Sequence, residues 1–181
     1  CFKLNSDIES IDFDNNTFRN FYVNNEFGGI GLDINNVDIN NALKITFNDC
    51  YFMNIGNKDE INQGGALSFG YNQNRGNLYL TLTECFFENN NKVEKGASIY
   101  ANIQHDITIE KCIFKENTCS DDGCIYIDPD YFGNSIISDI SINDCNFQQN
   151  LYSIYVSSGS TKTSSIHNCV FESEKGCILT N

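Results

Sequence analysis

The chain of 181 residues is poor in several residue types: it contains one Pro, one Met, no Trp and only 11 Lys and Arg. The basic residues are outnumbered by 24 Asp and Glu, so the formal net charge is −13. Nucleic acids and anionic membrane surfaces both attract basic proteins, and this balance therefore argues against either partner. The sequence also lacks an apolar run near the roughly 18 residues of a membrane-spanning helix, so no membrane span is predicted.

The composition is nevertheless that of a folded domain. Hydrophobic residues make up 40% of the chain and include 14 Phe, which argues against full disorder. The length suits a single domain over residues 1–181. Nine Cys and the glycan acceptor Asn15-Asn16-Thr17 favour a secreted protein, extracellular or on the cell surface, with an N-linked glycan at Asn15. Because the numbering opens at Cys1 instead of Met, we expect a segment of a longer product.

A Cys-x-Phe motif recurs along the chain, and repeats at such periods indicate stacked structural units. The six copies end at Phe18, Phe52, Phe87, Phe114, Phe147 and Phe171. Five copies carry a cysteine two residues earlier, namely Cys50, Cys85, Cys112, Cys145 and Cys169. The first copy has Asn16 in the Cys place, and two alternating apolar residues, such as Ile45 and Phe47, precede most copies.

A second element follows each motif at a variable distance. It is a turn of small residues that leads into a short apolar strand, as in Gly64-Gly65-Ala66-Leu67 and Gly123-Cys124-Ile125. Each repeat unit is too short to bury its own apolar face, so it must stack on its neighbours. Six copies of both elements predict about six stacked coils.

The apolar residues alternate with polar ones, which is the period of a β-strand and not that of a helix. The step of three between Phe47 and Cys50 breaks this alternation, so a bend at Asn48-Asp49 is needed to keep both sides facing inward. Short strands joined by such corners predict an all-β fold, a single-stranded right-handed parallel β-helix or solenoid. The handedness follows from the rule for crossovers between parallel strands, and like positions should stack about 4.8 Å apart.

The pattern Cys-x-Phe-x-x-Asn followed by Gly-Gly-Ala and an apolar residue resembles the repeat of polymorphic outer membrane proteins. It is also similar to repeats of related right-handed β-helix surface proteins of microbes, including large protist ones. The resemblance covers about residues 7–181 and implies a right-handed β-helix as the fold. Proteins of different function, including adhesins and surface coats, carry this repeat. The departures are Asn16 in place of Cys, and Lys95 and Ser153 in place of Gly.

The cysteines of the motif should form one column. Parallel stacking separates their Cβ atoms by about the strand spacing, wider than the 3.5–4.5 Å of a disulfide, which favours buried thiols over disulfides between coils. Cys119 and Cys124 differ, because they flank the turn sequence at residues 120–123. The sequence leaves two alternatives for them: a local disulfide, or a pair of free thiols.

Polar residues of the repeat offer few candidates for chemistry. The Asn residues that follow the motif should form a hydrogen-bonded ladder along the axis, which a one-residue slip at Asn117 and Asn150 would divide. Calcium is the one candidate metal, with no other cofactor expected. Its candidate ligands are loop aspartates, which could equally be solvent-exposed surface residues without a metal: Asp121, Asp122, Asp128 and Asp130.

The sequence favours a structural, non-catalytic role over two alternatives. We expect a rod segment of an extracellular or cell-surface filament, meeting itself or neighbouring coils of the same protein end to end. The first alternative is the stalk of an adhesin whose long loops bind a glycan or a protein, with Tyr71 and the Tyr131-Phe132 pair as candidates for an exposed aromatic patch. The second is a carbohydrate-active lyase or hydrolase, which would need clustered carboxylates. Such carboxylates as Asp49 and Asp144 share a row that Lys111 interrupts, typical of a solvated surface.

Overall fold

Parallel strands build the whole of the described structure. The computed structural model describes residues 2–3, 9–23, 30–33, 42–57, 64–69, 77–91, 93–101, 105–128, 138–156, 161–172 and 175–180. These residues form nineteen β-strands, and no helix occurs among them. Alternating apolar residues rich in Ile, Phe and Leu explain why the segments are strands.

Three sheets share the strands. The first sheet contains β2 (Ser10–Asp14), β5 (Ala42–Asn48), β8 (Asn77–Thr83), β11 (His105–Glu110), β14 (Ser138–Asn143) and β17 (Thr161–His167). The second contains β3 (Thr17–Val23), β6 (Tyr51–Asn57), β9 (Phe86–Glu88), β12 (Ile113–Lys115), β15 (Asn146–Gln148) and β18 (Val170–Glu172). The third contains β1 (Phe2–Lys3), β4 (Ile30–Asp33), β7 (Leu67–Phe69), β10 (Ile99–Ala101), β13 (Ile125–Ile127), β16 (Tyr152–Val156) and β19 (Gly176–Thr180).

Neighbouring strands within a sheet are always three apart in chain order, and every described pairing is parallel. The chain therefore passes through the three sheets in turn and then moves on by one layer. Motif positions are aligned by this register: Phe52 pairs with Phe18 on one side and with Phe87 on the other. The predicted all-β architecture of parallel strands stacked in register is confirmed, and it is the arrangement of a β-solenoid.

The corner between the first and second sheets uses the left-handed backbone region. Its φ values lie between 50° and 54° at Asn15, Asp49, Glu84, Lys111, Asp144 and Asn168. The predicted bend at Asn48-Asp49 is thus located at Asp49. Asn and Asp adopt this conformation readily, whereas each Glu or Lys costs of order 1 kcal/mol that the stacked neighbours must offset.

The corner before the third sheet needs small residues because successive coils approach closely there. A Cβ atom added to Gly65 would lie 1.7 Å from the carbonyl oxygen of Ala97 in the next coil. At Gly123 it would lie 2.7 Å from the backbone nitrogen of Tyr155. Gly65 and Gly123 are therefore required by the layer spacing.

The core lies between the sheets and consists of columns of identical motif positions. In the middle coils its side chains are almost fully buried, and Phe52, Phe87, Phe114 and Phe147 each have 0% exposure. Burying one such side chain stabilises the fold by roughly 1.5–3 kcal/mol. Strands β7, β10 and β13 of the third sheet are buried on both faces.

Candidate functional site

The phenylalanine rings of the repeat form one continuous stack through the interior. Neighbouring ring centroids lie between 4.6 and 5.1 Å apart, with interplanar angles between 6° and 13°. The stack runs through Phe18, Phe52, Phe87, Phe114, Phe147 and Phe171. Each such offset pair contributes about 0.5–1.5 kcal/mol beyond its area burial, so the column resists both slippage of register and bending.

The five cysteines of the motif form a parallel column of free thiols. Each Sγ donates to two carbonyl oxygens, one two residues earlier and one in the preceding coil; Cys50 donates to Asn48 at 3.3 Å and to Phe13 at 3.4 Å. Burial raises the pKa of the Cys112 thiol well above its ordinary value. Hydrogen bonding with Cys112 lowers the pKa of the Cys85 and Cys145 thiols. The geometry gives all five thiols a packing and hydrogen-bonding role.

Asparagine side chains form two separate ladders. The exposed one joins Nδ2 of Asn54 to Oδ1 of Asn20 at 3.0 Å and Nδ2 of Asn89 to Oδ1 of Asn54 at 2.6 Å. The buried ladder starts one residue later, at Asn90, and continues through Asn117 and Asn150. The predicted slip therefore divides the asparagines between an outward and an inward column.

The buried ladder also hydrogen-bonds backbone groups at the corner that follows the second sheet. Asn117 Nδ2 donates to the carbonyl of Phe87 at 2.9 Å and to Oδ1 of Asn150 at 3.1 Å. Its own Oδ1 accepts from the backbone and the side chain of Asn90, at 3.1 and 2.9 Å. Because each amide of this column both donates and accepts hydrogen bonds, the polar column can be fully buried at little cost.

The two ends of the stack differ from its middle. Six core side chains are only partly buried, and all of them belong to the first or last coil: Ile11, Phe13, Phe18, Ile166, Cys169 and Phe171. The strands that carry them, β2 and β3 at one end and β17 and β18 at the other, are the edge strands of their sheets among the described residues. Among the described residues, each end therefore presents partly buried apolar side chains on the edge strands of the first and second sheets, a combination that favours pairing with further strands.

The outward carboxylates are paired with lysines where the coils bring them together. Glu84 lies 3.8 Å from Lys111, and Glu88 lies 3.0 Å from Lys115. The partners of each pair are on successive coils at the same motif position. Exposed pairs of this kind contribute only about 0–1 kcal/mol each, but they bias the register of neighbouring coils.

The structure describes three of the four calcium candidates. Asp122 forms an ion pair with Lys95 at 3.0 Å, and Asp128 accepts a hydrogen bond from the hydroxyl of Tyr126 at 3.2 Å. Asp121 is exposed, and Asp130 lies outside the described residues. Within the described ranges, no group of three His, Cys, Asp or Glu side chains could hold a metal ion. Calcium binding by these aspartates stays a prediction.

Cys119 and Cys124 are both buried and carry free thiols in the structure. The Cys119 thiol donates to the carbonyl of Asp122, within the turn that the two cysteines flank. Burial raises the pKa of Cys119 to about 12 and that of Cys124 well above its ordinary value, so both resist ionisation. A disulfide between them stays a prediction, and forming it would require oxidation of two protected thiols.

The other predicted surface sites are placed as follows. Asn15 is exposed on the first corner, an accessible position for a glycan. The aromatic candidates for ligand binding, Tyr71 and Tyr131-Phe132, lie outside the described residues. No helix in the described part of the chain is long and apolar enough to cross a membrane.

Two aromatic features were missed by reasoning from the sequence. On the outer face of the third sheet, the rings of Tyr100, Tyr126 and Tyr155 stack, with the last two 4.7 Å apart. The Ile-Tyr pair that follows three of the six small-residue turns was the signal that could have found them. On the second sheet an outward row is partly apolar, with Tyr51 and Val170 exposed.

Comparisons with protein-family models, with curated proteins and with solved structures find no match for this chain.

Proposed function

We propose that the chain is a structural, non-catalytic rod segment of an extracellular or cell-surface filament. In this proposal it is a single-stranded right-handed parallel β-helix of about six coils that meets itself, or neighbouring coils of the same protein, end to end. Right-handedness is supported by the strong preference of crossovers between parallel strands. The negative charge and the glycan acceptor at Asn15 are in keeping with an exposed, soluble surface.

The observation that carries the proposal is the state of the core at the two ends. Among the described residues, Phe18 and Phe171 are the outermost rings of the phenylalanine stack and are partly buried, whereas the four rings between them are fully buried. A further coil on either side would complete the burial of these rings and extend the sheets. A heterologous contact of this kind does not close on itself, so repeated contacts give a filament.

The rest of the molecule supports a mechanical role. Ring stacking, thiol hydrogen bonds and the two asparagine ladders all run along the axis, so load along the rod is spread over many parallel contacts. Within the described residues, the motif thiols donate to backbone carbonyls, and the amides of the buried ladder bond to one another and to the backbone.

Electron microscopy of the purified protein tests this function. We expect unbranched filaments whose axial repeat corresponds to six layers of about 4.8 Å, roughly 29 Å in total. X-ray diffraction from aligned filaments should show the layer spacing of about 4.8 Å along the axis. A protein that stays monomeric at millimolar concentration with both ends bare would contradict the proposal.

A second candidate is a ligand-binding stalk of an adhesin. It is favoured by the outward row on the second sheet, where Tyr51, Ile113 and Val170 have exposures of 39%, 37% and 52%. Exposed aromatic and apolar side chains aligned along a rod can contact the apolar faces of sugars. A glycan array separates the two functions: specific binding that Tyr51→Ala abolishes would favour the adhesin, and assembly without glycan binding would favour the filament.

A further inference from the structure

We propose that the outer face of the second sheet binds the same face of a second copy of this chain, with the two stacks of coils running in opposite directions. The contact is lateral and is centred on coils inside the stack, so it goes beyond the end-to-end assembly proposed above. It names the partner of the outward row on the second sheet and sets the orientation of two rods that lie side by side.

The centre of this face is an apolar strip made by three successive coils. Phe86 pairs in register with Tyr51 on one side and with Ile113 on the other, and all three side chains point away from the core. The ring centroids of Tyr51 and Phe86 lie 6.1 Å apart, so the strip is continuous. Of the four exposed large hydrophobic side chains among the described residues, three lie on this row, namely Tyr51, Ile113 and Val170. Covering such a row with apolar surface is favourable.

An ion pair flanks the strip on each side, and both pairs have the same polarity. At the first corner Glu84 lies 3.8 Å from Lys111, and on the other side of the strip Glu88 lies 3.0 Å from Lys115. In each pair the carboxylate is on the coil of Phe86 and the lysine is on the next coil. A twofold axis that runs along the strands between these two coils therefore puts each carboxylate opposite a lysine of the second copy.

The order of charges continues beyond the central pair. Along the outward position of Glu88, the side chains are positive, neutral, negative, positive, neutral and negative, in the order Arg19, Met53, Glu88, Lys115, Gln148 and Glu172. Reversing this order exchanges every positive place with a negative one, so an antiparallel copy is complementary to the whole row. A copy running in the same direction would instead place these charges against the apolar strip, which is unfavourable.

The charges also favour a second copy over other partners. The net charge of −13 would attract a basic partner to much of the surface, but Lys111 and Lys115 lie beside this strip and oppose one. A neutral sugar could stack on the aromatic rings, yet it would leave both signs of charge without new partners. A second copy covers the strip and pairs both signs at once.

The size of the face determines how strong the contact can be. Six layers of about 4.8 Å give a length of roughly 29 Å, and with a width of roughly 15 Å the face covers on the order of 400 Å² per chain. This is about half the area that each partner buries in a standard interface, so weak and reversible pairing is expected. Sedimentation velocity over a concentration series up to about 1 mM, at about 0.15 M salt, measures it.

The apolar strip is tested by placing a charge at its centre. We expect Ile113→Glu to weaken pairing at least tenfold, because the new carboxylate is opposed to the apolar strip of the second copy. Tyr79→Glu is the matched control: Tyr79 is exposed to 38%, close to the 37% of Ile113, but lies on the first sheet. This control should pair within about twofold of the unaltered chain.

The ion pairs are tested by mixing two charge variants. Glu88→Lys and Lys115→Glu should each weaken pairing roughly threefold to tenfold, since each opposes like charges across the twofold axis. In a mixture of the two variants every contact between unlike chains has opposite charges again, whereas the pair inside each chain stays broken. Recovery in the mixture can therefore come only from contact between copies.

A third variant should strengthen the contact. The antiparallel arrangement opposes Asp49 to Asp144 of the second copy at the first corner, where both have the left-handed backbone. Asp144→Lys replaces this repulsion by attraction and should strengthen pairing roughly threefold. Asp139→Lys makes the same change in net charge at an exposed place on the first sheet of the same coil, and should have less than about half that effect.

The outcomes separate lateral pairing from the proposed filament function. Loss in Ile113→Glu and in both single charge variants, with recovery in the mixture, supports the pairing. Single rods joined end to end in the unaltered chain and in every variant, or a mixture that recovers nothing, would overturn the pairing and leave the filament function intact. Pairs that never extend into filaments would support the pairing and count against the filament. A chain that stays monomeric up to about 1 mM and binds glycans through Tyr51 would overturn the pairing in favour of the adhesin.

Discussion

The side-chain nitrogen of Asn117 lies 3.1 Å from Oδ1 of Asn150 in the next coil, and both side chains are fully buried. The hydrogen bond links two layers that are 33 residues apart in sequence. The buried polar groups at the corner after the second sheet therefore depend on the stacking of coils, just as the apolar columns do.

The first prediction concerns this ladder. Asn117→Ala removes the side-chain donor to the buried carbonyl of Phe87 and the acceptor of the buried backbone N–H of Asn90, and it breaks the side-chain bonds to Asn90 and Asn150, so we expect a loss of about 3 kcal/mol in the free energy of unfolding. Urea denaturation followed by circular dichroism measures it. Asn48→Ala is the control, because Asn48 makes an exposed bond to Asp14 and should cost less than about 1 kcal/mol. Equal losses would contradict the structural role of the buried ladder.

The second prediction compares two rings of one stack. Phe114→Ala removes a fully buried ring between two stacked neighbours and should cost about 3–5 kcal/mol. Phe18→Ala removes a partly buried ring with one described stacking neighbour along the column, so we expect about half that loss in dilute protein. Chemical denaturation of both variants provides the comparison. A larger loss in the free energy of unfolding for Phe18→Ala than for Phe114→Ala would contradict the observed difference in burial between the two rings.

The third prediction concerns the close approach of coils at the glycine corner. Gly65→Ala forces a methyl group against the backbone carbonyl of Ala97, which cannot move without shifting its layer, so a loss of about 3 kcal/mol is expected. Gly176→Ala serves as the control, since its nearest neighbour is the ring of Tyr152 at 3.3 Å, which can yield slightly. Thermal unfolding should show a much larger fall in Tm for Gly65→Ala. Similar values for the two variants would argue against the observed layer spacing at Gly65.

The fourth prediction is a dependence of stability on alkaline pH. Burial raises the pKa of the Cys119 thiol from its ordinary 9.0 to about 12. The folded chain therefore keeps a proton that the unfolded chain releases above about pH 9, so stability falls as pH rises, by up to about 1.4 kcal/mol per pH unit for this thiol.

Urea unfolding at pH 8, 9 and 10 measures that slope. Cys119→Ala should make it shallower, whatever its effect on stability at pH 8, and Ser120→Ala at an exposed neighbouring position should not. An identical slope in Cys119→Ala and the unaltered chain would show that Cys119 ionises as freely in the folded state as in the unfolded one.

Much of the architecture could be predicted from the sequence because equivalent positions of the repeat units can be recognised and aligned with one another. The alternation at Ile45 and Phe47, followed by a step of three to Cys50, requires a corner, and Asp49 has the left-handed backbone at that place. Once six such units are recognised, stacking is the only way to bury their apolar faces, and the phenylalanine stack follows.

The sequence pattern could not predict which asparagines are buried and which are exposed. Asn89 and Asn90 are adjacent in sequence, yet one belongs to the exposed ladder and the other to the buried one. Their separation depends on the left-handed backbone at Asn89, which turns the next side chain inward. The tyrosine stack was missed for a related reason: strands β10 and β13 bury both faces, so alternation does not mark the outward residue.

The sequence by itself determined the period of the structure, since chemically similar residues at repeated positions can only be buried together by layering. Only the tertiary structure decided which polar groups meet, because partners such as Lys115 and Glu88 are far apart in the chain and are brought together by layer register alone.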